Sequence, residues 1–229
     1  MKRRTRGLFI TLEGGEGTGK TTQARALQAH LEERGFRVTV TREPRGTELG
    51  RRLWRHIAKG GLSPEAELFL ILAARAQHVA EVVRPALERG EVVICDRFTD
   101  STLAYQGYGR GLDLASLQRL NEVAAQGLTP DFTVLLDLPV PQGLARARER
   151  APSRARADAT GASPRAAAQD SIGGETEEFH ERVRRGYLAL AARERERWLI
   201  ADGALPSTET SAYILRHLER FLREPGRSG

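Results

Sequence analysis

One stretch near the amino terminus, Leu8-Phe-Ile-Thr-Leu-Glu-Gly-Gly-Glu-Gly-Thr-Gly-Lys-Thr-Thr22, restricts this chain more than any other. Leu8 to Leu12 are mostly apolar and read as a buried strand. Gly14-x-x-x-x-Gly19-Lys20-Thr21 follows, the spacing of a phosphate-binding loop, and then a helix with Leu27 and Leu31 on one face. Each residue type has a physical reason to be there. Gly14, Gly15, Gly17 and Gly19 let the backbone of Glu16 and Thr18 turn its N–H groups inward toward a phosphate. The helix opening at Lys20 points its partial positive end at the same spot. Lys20 supplies a point charge for β- and γ-phosphates, and the Thr21 hydroxyl can ligate Mg²⁺. A glycine-rich turn can also merely join strand to helix, but the flanking strand and helix favour a nucleoside triphosphate site.

At 229 residues and 40% hydrophobic, the chain suffices for one α/β domain over residues 1–229. No internal repeat and no membrane-length apolar run is present. The basic start Met1–Arg6 lacks the apolar run of a signal peptide. A single cysteine, Cys95, excludes an internal disulfide and suits a reducing cytoplasm. The net charge of +6 comes almost wholly from arginine, with lysine only at positions 2, 20 and 59. The arginines are spread out and seldom interleave with aromatics, so no nucleic-acid partner is expected. Arginine's planar fork also suits a phosphate-filled pocket.

The periodicity predicts a helix over 20–34 stopped by Gly35, and a strand Arg37–Arg42 followed by the turn Glu43-Pro-Arg-Gly-Thr47. Arg42 then sits at a strand's carboxyl end, where open α/β sheets hold ligands. A long helix from Pro64 carries Leu68, Ile71, Leu72, Val79, Val82 and Val83 inward and is expected to kink near Pro85. Arg75 lies in its apolar half, so it either snorkels outward or meets an anion. Glu91–Asp96 is an apolar strand ending in an acid placed to hold Mg²⁺, with Arg97 next. The polar, aromatic run 98–111 follows. Strands at Phe132–Asp137 and Trp198–Ala201 complete an alternating pattern, which predicts a five-stranded parallel sheet with helices on both faces. Residues 151–174, rich in Ala, Gly, Ser, Pro and Arg, read as a mobile lid. A helix follows with Phe179, Val183, Tyr187 and Leu190 inward. A last amphipathic helix carries Ile214, Leu215, Leu218, Phe221 and Leu222, and residues 224–229 should fray.

Taken together, the phosphate loop with Glu16, Arg42-Glu-Pro-x-Gly-Thr47, Ala73-Ala-Arg-Ala-Gln-His78, Asp96-Arg97, and Ser101-Thr102 with Tyr105-Gln-Gly resemble bacterial thymidylate kinases, P-loop nucleoside monophosphate kinases. The resemblance spans nearly the whole chain. It implies ATP and Mg²⁺, dTMP as the phosphate acceptor, and a homodimer. It places Glu16 at the sugar 3′-hydroxyl, Arg42, Arg75 and Arg97 at the phosphate or the thymine edge, and Ser101, Thr102 and Gln106 along the base. Tyr105 would pack where a 2′-hydroxyl would project, and Asp96 would support Mg²⁺ and the acceptor. Three positions depart from the family pattern. Arg45 replaces a glycine, Ile71 stands where a base-stacking phenylalanine is common (Phe69 is two residues off), and Asp170-Ser-Ile-Gly173 replaces the lid's Asp-Arg-x-Glu.

The resulting expectation is ATP + dTMP giving ADP + dTDP, catalysed by positioning and charge neutralisation. A kinase of another small acceptor, or a nucleotide-binding regulator that no longer catalyses, are the alternatives. The loop itself carries no arginine, so an arginine from outside it must meet charge on the γ-phosphoryl group. Arg150, at the end of the helix after Asp137, best matches the family's lid arginine by spacing, with Arg154, Arg156 and Arg165 as substitutes. Arg146 and Arg150, one turn apart, could instead be a solvated face.

Overall fold

The computed structural model describes residues 7–157 and 175–223, with residues 150–157 as backbone only. Its centre is β1 (Leu8–Glu13), in which every residue is buried. Only a strand covered on both faces tolerates so continuous an apolar run. β2 (Val38–Arg42), β3 (Val92–Asp96), β4 (Phe132–Asp137) and β5 (Trp198–Asp202) join it in the order β2-β3-β1-β4-β5. All four pairings are parallel. Because β1 leaves toward β2 on one side and β4 lies on its other, the crevice at its carboxyl end is where such sheets receive ligands. The register aligns Leu12 with Asp96 and Asp96 with Arg42, so the residues that close β1, β2 and β3 share one edge.

Helices cover both faces, as expected. α1 (Lys20–Glu33) buries Leu27 and Leu31 against the sheet beside Ile214 and Leu218 of the last helix, here α9 (Ser207–Arg223). α2 (Glu48–Ile57) and α3 (Pro64–His78) pack together. The long helix is irregular near Pro85, as expected. It passes into a π-helical turn at Val79–Val83 and then α4 (Arg84–Glu88), so the irregularity begins six residues earlier. Proline lacks an N–H to give the preceding turn, and a wider turn takes up that missing bond. Val79 and Val83 point inward as expected, while Val82 is only half-buried.

After β3 come a short α5 (Thr99–Thr102), a second π-helical turn at Leu103–Gly109, and α6 (Leu114–Ala124). α8 (Glu177–Arg193) lies on that turn with Phe179, Val183, Tyr187 and Leu190 buried, the four residues its spacing singled out. Cys95 is a buried free thiol whose pKa burial pushes well up. Among the described residues no helix is long and apolar enough to cross a membrane.

α7 (Val140–Ala157) corrects one boundary: it continues seven residues past Arg150, into the stretch read as the start of the lid. Residues 158–174 of the lid, including Arg165 and Asp170–Gly173, and the tail 224–229 lie outside the described residues. α7 starts hard against the phosphate loop. Gly17 has φ +68° and a Cβ on it would stand 2.0 Å from the Gly143 carbonyl oxygen; one on Gly143 would meet the Glu16 oxygen at 2.5 Å. Two backbones approach here because neither has a side chain. Gly143→Ala should therefore push α7 off the loop, at a cost of about 1–3 kcal/mol for overpacking. A melting temperature lowered by about 2–10 °C, read by calorimetry, is the expected outcome.

Candidate active site

The cleft above the carboxyl ends of β1, β2 and β3 collects nearly every residue singled out from the sequence. Glu16, Gly17, Thr18, Gly19, Lys20, Thr21, Arg42, Arg75, Asp96, Arg97, Ser101, Thr102, Tyr105 and Gln106 all line it. Ala147 of α7 closes it from above. Gly14 and Gly15 lie just below, where their carbonyls accept hydrogen bonds from Lys20 Nζ at 3.0 and 2.7 Å. The loop is thus folded round its own lysine, whose ammonium is already delivered to the phosphate cradle. Burial, and next the repulsion of Arg97, push the Lys20 pKa down to about 8 against the pull of Asp96, Glu16 and Glu13. A cleft that sets a buried ammonium beside a half-buried guanidinium is an anion site by construction.

Arg97 is the second cation, and its backbone shows how tightly it is set. It has φ +73°, a left-handed conformation unusual for a side chain of this size, and its N–H donates to the Leu12 carbonyl at 3.0 Å. Its Nη1 donates to the Ser101 and Tyr187 hydroxyls at 3.3 and 3.1 Å, and its Nη2 to Glu16 Oε1 and the Tyr105 hydroxyl, both at 3.0 Å. The guanidinium also lies 4.8 Å from the Tyr105 ring centre. Burial works against a charged Glu16, but Arg97, Lys20 and His180 outweigh it and hold the carboxyl below its usual range. Tyr105 donates to the same Glu16 oxygen at 3.2 Å. Glu16, Arg97 and Tyr105 therefore form one unit.

Arg75 resolves its alternatives in an unexpected way. It does not snorkel: it is 1% exposed. The anion it meets is the protein's own Glu43, through Nε and Nη2, each 2.8 Å from Oε2. Its remaining donors go to Thr102 Oγ1, Asn121 Oδ1 and the Phe98 carbonyl. Glu43 also takes the His78 ring at 3.2 Å, and His78 reaches Thr41 at 2.7 Å on its other nitrogen. Arg75 forms the floor of the pocket with its donors turned onto α5, α6 and the turn after β2.

The base side of the cleft is built on the second π-helical turn. Gln106, 1% exposed, donates to Glu67 Oε1 at 2.8 Å, and Arg110 bridges Glu67 to Glu175. Ile71 lines the cleft, whereas Phe69 points away and is 59% exposed, so the aromatic two residues off does not substitute for the missing one. Trp54 supplies an aromatic wall, with the Arg45 guanidinium 5.6 Å from its ring centre. For a metal, Thr21 Oγ1 lies 3.4 Å from Asp96 Oδ2 beside the cradle. No cluster of three or more His, Cys, Asp or Glu suited to a metal is present among the described residues. One hydroxyl and one carboxylate beside a polyphosphate cradle fit Mg²⁺, which keeps its waters and takes phosphate oxygens for the rest. The side chain of Arg150 lies outside the described residues, as do those of Arg154 and Arg156. Arg146 is committed elsewhere, to the Gly203 and Ala204 carbonyls at 2.6 and 3.4 Å, which departs from a solvated face.

Sequence reasoning missed the carboxylates. Glu13, Glu43 and Glu67 are all buried at the back of the site, and each holds a residue that was assigned a role. Glu13 carried a readable signal, an acid closing an otherwise apolar strand. Glu43 and Glu67 acquire meaning only when distant segments meet. Removing the Arg75 guanidinium would leave the buried Glu43 charge with only the His78 ring beside it. Arg75→Ala should cost about 3–5 kcal/mol of stability, read as a shifted urea midpoint with unchanged slope.

The family model "Thymidylate kinase" matches residues 12–214. A thymidylate kinase of Desulfovibrio desulfuricans is 52% identical over 223 residues, covering 96% of this chain and 99% of that protein. One from Geotalea daltonii is 49% identical over 211 residues, 91% of this chain and 94% of its own. The crystal structure of thymidylate kinase from Ehrlichia chaffeensis superposes with a TM-score of 0.71 at 30% identity, covering 93% of this chain and 98% of that one. With a family model matched over most of its length and relatives near half identity end to end, this chain belongs to the thymidylate kinase family.

Proposed function

We propose that the protein transfers the γ-phosphoryl group of ATP to dTMP, giving ADP and dTDP. The observation that carries this is the convergence of Lys20 and Arg97 on one cleft, from loops after two different strands, each already oriented by hydrogen bonds. Lys20 and the loop N–H groups hold the β- and γ-phosphates of ATP. Arg97, with Arg42 from the neighbouring strand end, holds the acceptor phosphate, so the two reacting phosphates meet between them. Preset donors of this kind need little reorganisation as charge shifts, which is where phosphoryl transfer gains most of its rate. Thr21 and Asp96 would hold Mg²⁺, which neutralises charge on the phosphates when bound. Glu16 takes the sugar 3′-hydroxyl, while Ser101, Thr102, Gln106 and the edge of Arg75 line the base. Arg150 is the arginine proposed to reach the γ-phosphoryl group from α7.

The protein is proposed to work in the cytoplasm as a homodimer. Leu49 on α2, Phe69 on α3 and Val123 on α6 are exposed on helices that pack in series, which supports a self-association face there.

ADP release with ATP–Mg²⁺ against dTMP, dUMP, UMP, GMP and shikimate tests the reaction, with dTMP expected to lead. Lys20→Ala should keep the circular dichroism spectrum and lose turnover by on the order of a hundredfold or more. Normal turnover in that variant would sink the kinase reading. Tyr105 is proposed to exclude a 2′-hydroxyl, so Tyr105→Ala should narrow the preference of dTMP over UMP, a steric gap commonly worth a few kcal/mol. If UMP is used no better than by the parent, the sugar is gated elsewhere.

A further inference from the structure

We infer that Glu13 is a positioning residue for Arg97: it fixes which way two hydroxyls point, so that the guanidinium meets only lone pairs. This rests on the reading of Arg97 as a ligand of the acceptor phosphate. Glu13 is the last residue of β1 and is fully buried. Its Oε1 accepts the Phe98 N–H at 2.8 Å, the peptide next to the left-handed Arg97. Its Oε2 accepts the Ser101 hydroxyl at 2.6 Å and the Tyr187 hydroxyl at 2.9 Å. These are the same two hydroxyls to which Arg97 Nη1 donates.

A hydroxyl has one proton. When Ser101 and Tyr187 both give theirs to the carboxylate, both present only oxygen lone pairs to Arg97. They also lie 2.8 Å from each other, a contact that would need one of the two protons and so competes with the bonds to Glu13. A neutral carboxamide or a protonated carboxyl at position 13 cannot accept from both hydroxyls and the Phe98 N–H at once, because one of its two atoms then carries a proton. Either the two hydroxyls lose their shared acceptor and turn a proton toward Arg97, or the Phe98 N–H loses the bond that holds the turn. The backbone bond to Phe98 acts on the same residue from the other side, holding the strained turn that aims the arginine into the cleft.

The surroundings make this hold sensitive to pH. The ionisable and polar groups that face Glu13 are Asp100 and Ser101 on α5, Arg97 before it, Cys95 on β3, Lys20 on the loop helix and Tyr187 on α8. Burial, and then Asp100, push the Glu13 pKa up to about 7, despite the opposing pull of Ser101, Arg97 and the Phe98 N–H. The carboxylate that orients the hydroxyls is therefore lost on mild acidification. Stability responds in the opposite sense. A carboxyl whose folded pKa is raised contributes stability on the acid side, which is lost as pH rises through about 7. A purely structural Glu13 would thus make acid conditions benign, whereas a positioning Glu13 makes them costly for acceptor binding.

The test is the Michaelis constant for dTMP between pH 6 and 8 in the parent, Glu13→Gln, Tyr187→Phe and Arg97→Ala, with saturating ATP–Mg²⁺ and melting curves at each pH. The substrate phosphate titrates equally for all four, so only differences between them count. Glu13→Gln should raise the dTMP constant about tenfold at pH 8, the size of one charge-assisted hydrogen bond. It should also flatten the part of the pH response peculiar to the parent, while melting no lower. Tyr187→Phe, which removes one hydroxyl and no charge, should raise the constant by a smaller factor, and decides the matter if Glu13→Gln does not fold. A parental constant and pH response in Glu13→Gln, or in Tyr187→Phe where the first is unfolded, overturns the inference. If Arg97→Ala leaves the constant unchanged, it is the phosphate role of Arg97 that fails, separately from Glu13.

Discussion

The burial of the Lys20 ammonium beside Arg97 is the constraint around which the rest of the site is arranged. Lys20 is buried and Arg97 half-buried in the same cleft, and the arginine makes the lysine harder to keep charged. Burial, and next the repulsion of Arg97, bring the Lys20 pKa down to about 8. That cost is offset by carboxylates placed behind each cation: Glu16 beside both, Asp96 near Lys20, Glu13 behind Arg97. The result is a pair of positive groups that stay in place without substrate and interact better with a polyphosphate than with each other. The same arrangement explains the strained φ at Arg97, since a relaxed backbone would swing the side chain out of reach of Glu16, Tyr105 and Tyr187.

A second buried ion pair does a different job. Arg75 and Glu43 lie under the cleft and join α3 to the turn after β2, and Arg75 adds α5 and α6 through Thr102 and Asn121. Buried pairs of this kind are often no more stabilising than apolar packing of equal volume. Their directional bonds set registry, and here four elements meet at one guanidinium. The floor on which a base would rest is therefore fixed relative to both the phosphate end and α6. Phe98, 5.4 Å from the Arg75 guanidinium, packs on Phe9 of β1 and passes the same registry to the central strand.

How legible this was depended on distance along the chain. The phosphate loop, the five strands and the inward faces of α1 and α8 are local patterns, and the residues they singled out lie where the periodicity put them. Lys20, Thr21, Asp96 and Arg97 follow from the same logic, because each sits beside a strand end. The failures were non-local or concerned helix ends. Whether Arg75 turned out or in depended on Glu43, thirty-two residues earlier. The irregularity expected near Pro85 begins a turn and a half before it, since the missing N–H is felt upstream. α7 runs on to Ala157, where Ala and Arg favour a helix, in spite of Pro152, which lacks the N–H for an interior helical bond.

The departure at Arg45 shows why a motif's glycines are not equivalent. The turn Arg42-Glu-Pro-Arg-Gly-Thr47 carries a side chain where the family has glycine, and position 45 is not among the residues with positive φ. No left-handed backbone is demanded there, and the side chain goes to the cleft wall over Trp54. The next position differs in kind. A Cβ on Gly46 would lie 2.4 Å from His78 Cδ2 and 2.8 Å from the Arg42 carbonyl oxygen, with His78 itself fixed between Glu43 and Thr41. The second glycine is thus required by the ion-pair network beneath it, and the first is open to whatever the acceptor pocket can use. In this chain it places a guanidinium and an indole together on the wall of the cleft that Ile71 also lines. Trp54 of α2 gives that cleft an aromatic wall where Ile71 of α3 gives it an aliphatic one.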